Sequence, residues 1–161
     1  MGEAQVGSTG TRLAVLGSPI GHSKSPAIHA AAYAVLGLDW RYERFDVPEG
    51  ELADFMASRG DGWRGFSVTM PLKQEALDFA STLDPAASDI GAVNTLVFDD
   101  AGSAAPARGW NTDVTGFIAA LSDAGVERAS RVRLLGAGGT AAAVVAASHG
   151  DIIDNLLRSV R

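Results

Sequence analysis

The alternation of apolar and polar positions divides the chain into short strand-like runs separated by helical stretches. Arg12-Leu13-Ala14-Val15-Leu16-Gly17 is a compact apolar run ended by Gly, Ser and Pro, the pattern of a buried strand feeding a loop. The loop 18–26 hands over to a helix over 27–36, with Ser25 expected as N-cap, Pro26 at the first helical position and Gly37 closing it. Residues 40–47 alternate aromatic and charged side chains and predict a second, half-buried strand. Residues 51–58 follow as a helix with Leu52, Phe55 and Met56 on one face. Next, Trp63-Arg64-Gly65-Phe66 leads into Ser67-Val68-Thr69-Met70-Pro71-Leu72-Lys73, strand-like until a proline stops it. Gln74 to Phe79 reads as an amphipathic helix with Pro71 suited to its first position, so Lys73 falls in the first helical turn, where the helix macrodipole disfavours a cation.

Downstream, residues 84–89 predict a short helical turn and 91–98 a strand. Asp99-Asp100-Ala101-Gly102 is a hairpin-type turn, after which 107–110 returns antiparallel. Asn111-Thr112-Asp113 caps a helix over 114–124 with core-spaced Phe117, Ile118 and Leu121. Arg131 to Leu135 predicts a further strand running into Gly136-Ala137-Gly138-Gly139-Thr140-Ala141, which satisfies the G-x-G-x-x-G/A form of the dinucleotide fingerprint. Repeated strand–helix alternation argues for βαβ units and hence an α/β fold, a mainly parallel sheet with helices on both faces and one antiparallel excursion.

Composition narrows the partners. The 161 residues bear a net charge of −6 with Lys and Arg scattered rather than striped, which argues against nucleic acid and anionic membrane surfaces. There are no cysteines, which excludes disulfides, thiol catalysis and zinc–thiolate sites, and no metal site is expected. No apolar run approaches membrane-spanning length and the N-terminus lacks a signal pattern, so a cytoplasmic location is expected. Residues 1–10 are small and polar, an expected disordered lead-in.

The chemistry-bearing residues are individually unremarkable. Ser23 and Ser25, two apart before a helix, could turn both hydroxyls toward one anionic group, or be a turn residue and a cap. Asn94 interrupts an apolar strand and must be hydrogen-bonded if buried, whether by a ligand hydroxyl or by a neighbouring loop. Thr69 suits an ordinary strand threonine, Asp113 an ordinary helix cap, and Lys73 a solvated surface lysine. His29 and Tyr33, one turn apart, read as packing or surface residues.

Taken together, Gly17-Ser18-Pro19-Ile20-Gly21-His22-Ser23-Lys24-Ser25-Pro26, Ser67 to Lys73, Gly91-Ala92-Val93-Asn94-Thr95, Asn111-Thr112-Asp113-Val114-Thr115-Gly116 and the glycine run 136–141, in this order, resemble the shikimate dehydrogenases. The resemblance covers residues 12–146. It implies a substrate domain joined to an NADP-binding Rossmann domain, and reversible reduction of 3-dehydroshikimate to shikimate in aromatic amino-acid biosynthesis. It further implies Lys73 and Asp113 as the catalytic pair, Ser23 and Ser25 on the substrate carboxylate, and Thr69, Asn94 and Asp113 on its ring hydroxyls. Gly136, Ala137, Gly138, Gly139, Thr140 and Ala141 would meet the cofactor. On this reading residues 11–128 form the substrate-binding catalytic domain and 129–161 a shortened start of the Rossmann domain ending in an atypical helix, so that NADP is expected to bind poorly to this chain alone. Serine 67 departs from the family, which usually carries asparagine there. A stand-alone module holding shikimate or quinate without redox chemistry is the alternative, and NADP against NAD, shikimate against quinate, and oligomeric state stay open.

Overall fold

The computed structural model describes residues 10–99, 106–126, 132–136 and 138–147. In chain order the elements are β1 (Thr11–Gly17), α1 (Ser25–Leu36), β2 (Trp40–Asp46), α2 (Leu52–Ser58), β3 (Trp63–Val68), α3 (Lys73–Phe79), β4 (Thr82–Leu83), α4 (Pro85–Ile90), β5 (Thr95–Phe98), β6 (Ala107–Trp110), α5 (Asp113–Asp123) and α6 (Gly139–Ala147). The six strands form one sheet in the order β2-β1-β3-β5-β6-β4. Strands β1, β2 and β3 run parallel, β5 is antiparallel to both of its neighbours, and β4 joins β6 in parallel at the far edge. This is the expected α/β architecture, with β5 as the one reversed strand among the described residues.

Side-chain alternation gives the sheet two unlike faces. Ala14, Leu16, Phe66, Val68, Leu96 and Phe98 point to one face and build the core with Leu52 and Met56 of α2 and Ala76 of α3. Aromatic rings knit it together: Phe66 meets Phe55 at 5.7 Å, Trp63 at 5.0 Å and Phe98 at 5.8 Å between centroids. Such pairs add about 0.5–1.5 kcal/mol each beyond their burial. Trp63 and Phe66 share this face despite their odd spacing because the β1–β3 register shifts between Arg12 and Leu13. The opposite face is smaller and more polar. Tyr33 is the buried residue of α1, edge-on to Trp40, and His29 of the same helix stacks on Tyr42 of β2 at 3.8 Å.

Several expectations need correction. Ser25 does not cap α1 but is its first residue; the N-cap position belongs to Lys24, whose side chain makes no capping bond, and Pro26 lies inside the first turn. Pro71 is not the first residue of α3; it occupies the turn in which Leu72 N–H donates to Thr69 C=O, and the helix starts at Lys73. The strand expected over 91–98 is only Thr95–Phe98, because Gly91 adopts the left-handed φ of 69° that ends α4 and Asn94 turns its side chain toward a neighbouring loop. The strand expected before the glycine run is absent where it is described: Val132 to Gly136 form no ladder. The two-residue β4 carries no periodicity that a sequence pattern could reveal. Residues 1–9 of the expected lead-in, Ala137 of the glycine run and the expected helix over 151–161 lie outside the described residues.

Candidate active site

Because β1, β2, β3 and β6 all point the same way, the chain leaves each of them at one edge of the sheet, and it enters the reversed β5 at that same edge. Loops at the carboxyl ends of parallel strands are where α/β sheets place their ligands. The topology therefore collects the residues following β1 (Ser23, Ser25), β3 (Thr69, Lys73) and β6 (Asp113), and the residue preceding β5 (Asn94), from across the sequence.

Three of these are joined directly. Lys73 Nζ donates to Asp113 Oδ2 at 2.5 Å, and Asn94 Nδ2 donates to the other carboxylate oxygen, Oδ1, at 2.8 Å. Asn94 is buried, at 8% exposure, and its own Oδ1 accepts from Thr112 N–H at 3.1 Å and from the Thr95 hydroxyl at 2.8 Å, so its amide orientation is dictated from both ends. Its backbone ties down the same corner, with the N–H donating to Trp110 C=O and the C=O accepting from Val68 N–H. The carboxylate of Asp113 also sits in the first turn of α5, where the helix dipole stabilises an anion. An ammonium, a carboxylate and an amide thus form a fixed chain with the lysine at its end, and lysine and aspartate are residue types capable of general acid–base chemistry.

Further residues hold this chain in place. Asn111, 3% exposed, accepts the Asp113 backbone N–H on Oδ1 at 3.0 Å and donates through Nδ2 to Ala92 C=O at 2.9 Å. Asp84 in turn accepts from Asn111 N–H at 3.0 Å while capping α4 through Ala87 N–H at 2.9 Å. In the sequence these two signal only a cap before a proline and an asparagine before a helix. Their structural part depends on long-range contacts that no local pattern carries.

The other expected residues take different positions. Thr69 is exposed, with its N–H donating to Leu16 C=O. A Cβ on Gly17 would come within 2.5 Å of Thr69 Cγ2 and 2.8 Å of Met70 C=O, so the glycine is what lets the β1 and β3 loops lie side by side. Ser23 and Ser25 make local bonds: Ser25 N–H donates to Ser23 Oγ at 3.3 Å, and Ser25 C=O lies 2.9 Å from His29 Nδ1. Asp46, at the end of β2, holds their loop by accepting from the Ser18 hydroxyl at 2.7 Å and from Ile20 N–H at 3.2 Å. Those two bonds, the hydroxyl first, lower its pKa below the ordinary carboxylate value.

Thr69, Met70, Pro71 and Lys73 also line a cleft of about 410 Å³ whose other wall is Leu134, Leu135, Gly136, Gly138, Gly139, Thr140, Ala141 and Val144. The glycine run thus faces the lysine, with Lys73 Cδ 3.5 Å from where a Cβ on Gly139 would stand. Among the described residues no cluster of His, Asp and Glu could hold a metal ion, and no helix is long and apolar enough to cross a membrane.

Residues 15–96, about half of the chain, match the model of the shikimate dehydrogenase substrate binding domain. The chain belongs to the shikimate dehydrogenase family. Among curated members, shikimate dehydrogenase (NADP(+)) of Rubrobacter xylanophilus is 47% identical over 135 residues, covering 83% of this chain and 46% of its own length. That of Methylobacterium radiotolerans is 49% identical over 140 residues, covering 83% and 49%. The chain therefore spans about half the length of the curated shikimate dehydrogenases it matches. Among solved structures, shikimate 5-dehydrogenase of Thermus thermophilus in complex with shikimate superposes with a TM-score of 0.80 at 38% identity, covering 89% of this chain and 54% of that one. The same enzyme in complex with NADP(H) and shikimate superposes at 0.77.

Proposed function

We propose that this chain carries the substrate-binding and proton-transfer half of an NADP-dependent shikimate dehydrogenase, acting in the cytoplasm on 3-dehydroshikimate and shikimate. The observation that carries the reading is the Lys73–Asp113–Asn94 chain at the carboxyl edge of the sheet. In the reducing direction Lys73 donates a proton to the oxygen that becomes the hydroxyl, and in the oxidising direction it takes that proton back. Asp113 orients the ammonium and balances its charge, while Asn94 fixes the carboxylate. Ser23 and Ser25, at the start of α1, bind the ring carboxylate; Thr69, Asn94 and Asp113 meet ring hydroxyls. Residues 11–128 form the substrate unit and 129–161 begin the nucleotide unit.

The described residues fit the phosphate end of a dinucleotide. Gly136 has a φ of 119°, side chains at Gly136 and Gly138 would meet nothing within 4 Å, and α6 starts at Gly139. Backbone N–H groups of Gly138, Gly139 and Thr140 would hold the diphosphate. When bound, NADP supplies or accepts the hydride.

The test incubates the chain with shikimate and NADP and follows absorbance of the reduced cofactor, with a thermal-shift assay in parallel. Turnover that disappears in Lys73→Ala supports the enzyme reading. No turnover, with shikimate still raising the melting temperature, supports a binding module without redox activity. Absence of any shikimate effect overturns both.

A further inference from the structure

On the polar face of the sheet, one hydrogen bond stands apart from the Lys73 chain. The Tyr42 hydroxyl of β2 donates to Ser67 Oγ of β3 at 2.6 Å, reaching across the intervening β1. Ser67 pairs with Val15 on one side and with Thr95 on the other, so by alternation Tyr42, Ser67 and Thr95 share a face, and Thr95 donates onward to Asn94 Oδ1 at 2.8 Å. A row of hydroxyls thus crosses the sheet and ends on the amide that holds Asp113. Ser67 is half-buried and lies two residues before Thr69, at the end of β3 that opens into the site loop.

The tyrosine is itself held. His29 stacks on its ring at 3.8 Å between centroids with an interplanar angle of 8°, and the same imidazole lies with Nδ1 2.9 Å from Ser25 C=O. Tyr42 is therefore braced from α1, the helix whose first turn carries Ser25, while its hydroxyl fixes a side chain of β3. Burial raises its pKa above the ordinary phenol value, so the hydroxyl keeps its proton throughout the neutral range.

From this geometry we infer that Tyr42 is a positioning residue for substrate: by donating to Ser67 Oγ it turns the serine's own O–H outward as a donor to an acceptor oxygen of the bound ring acid. A serine hydroxyl has one proton and two lone pairs, so an oxygen that accepts from tyrosine has its proton left to give. A lone serine rotates freely about χ1 and would lose that freedom on binding; the tyrosine bond pre-sets the orientation and removes part of the cost. The inference rests on shikimate as the ligand of this site.

Isothermal titration of shikimate into the whole chain tests it, using Tyr42→Phe, Ser67→Ala and the double variant. Tyr42→Phe retains the ring that stacks on His29 and removes only the hydroxyl. The expected result is a five- to tenfold weaker Kd in Ser67→Ala, on the order of one lost hydrogen bond, and a smaller but measurable loss in Tyr42→Phe, which gives up only the pre-set orientation. The double variant is expected to be no weaker than Ser67→Ala alone, because the tyrosine acts on the substrate only through the serine. Equal affinity of wild type and Tyr42→Phe, or fully additive losses, would overturn the inference while leaving shikimate binding intact. Absence of binding by the wild type would instead overturn the proposed function, and the inference with it. Ser67→Ala reads the same bond from its other end, should Tyr42→Phe fold poorly. A purely structural tyrosine would lower the melting temperature without the non-additive loss of affinity.

Discussion

Lys73 Nζ and Asp113 Oδ2 lie 2.5 Å apart although 40 positions separate the two residues. The lysine is the first residue of α3 and the aspartate the first residue of α5, so each sits where its helix leaves the carboxyl edge of the sheet. Their side chains keep 16% and 30% exposure, which leaves the pair wet enough to exchange protons yet shielded enough for the contact to count. Replacing Lys73 by Met is expected to cost about 1–2 kcal/mol of stability, between the values for surface and buried pairs, since the Asp113 carboxylate retains Asn94 Nδ2 as a donor. A double-mutant cycle with Asp113→Asn, read by urea denaturation, measures the coupling. A coupling near zero would mean that the pair serves position alone.

Asn111 touches neither partner of that pair through a charge, yet it holds Asp113 by the backbone. Asn111→Ala removes the acceptor for Asp113 N–H and the donor to Ala92 C=O at a site only 3% exposed. Leaving those groups unpaired is expected to cost about 2–4 kcal/mol. Denaturant midpoints check the stability, and shikimate titration checks whether a displaced carboxylate also weakens binding. Unchanged stability would show that water replaces the amide fully.

Acid is expected to loosen the loop between β1 and α1. Asp46 has a folded-state pKa lowered by the Ser18 hydroxyl and then by Ile20 N–H, so its stabilising bonds are fully present above the unfolded-state pKa. They are lost as pH falls through the lower, folded-state value. In an NMR titration the Asp46 carboxyl and the Ile20 amide are expected to move together, with a midpoint below that of an ordinary aspartate. Asp46→Asn is expected to lower the melting temperature at neutral pH and to converge with wild type in strong acid; a constant difference at every pH would refute the assignment.

Gly17 separates two loops that the site needs close together. Gly17→Ala places a methyl group 2.5 Å from Thr69 Cγ2 and 2.8 Å from a backbone oxygen, which no rotamer change can relieve entirely. Overpacking of this kind is expected to cost about 1–3 kcal/mol and to displace Thr69. Thermal unfolding and shikimate affinity should fall together, whereas a loss of stability with affinity intact would place Thr69 outside the substrate contacts.

Much of the fold could be read from periodicity. The apolar run ending at Gly17, the alternation from Trp40 and the helix closed by Gly37 each encode one element within a few residues of sequence, and each stands where it was expected. Errors fell where tertiary contacts outweigh local preference. Asn94 looks like a strand residue because its neighbours are apolar; it stands just before β5, its backbone still bonded to Trp110 and Val68, with its amide reaching Thr112 and Asp113. Ser25 looks like a cap because serine before proline usually is one, yet Ser23 accepts its N–H instead.

The sequence by itself determined the α/β alternation and, through five ordered motifs, the family and the names of the candidate site residues. Only the tertiary structure decided that Lys73, Asp113 and Asn94 touch, that Asn111 and Asp84 brace them, and that Tyr42 reaches Ser67. Local patterns report backbone preference and burial over one or two turns of chain. A hydrogen bond between residues 40 positions apart depends instead on strand order and direction, here a reversed β5 between parallel β3 and β6 that brings three chain ends to one edge.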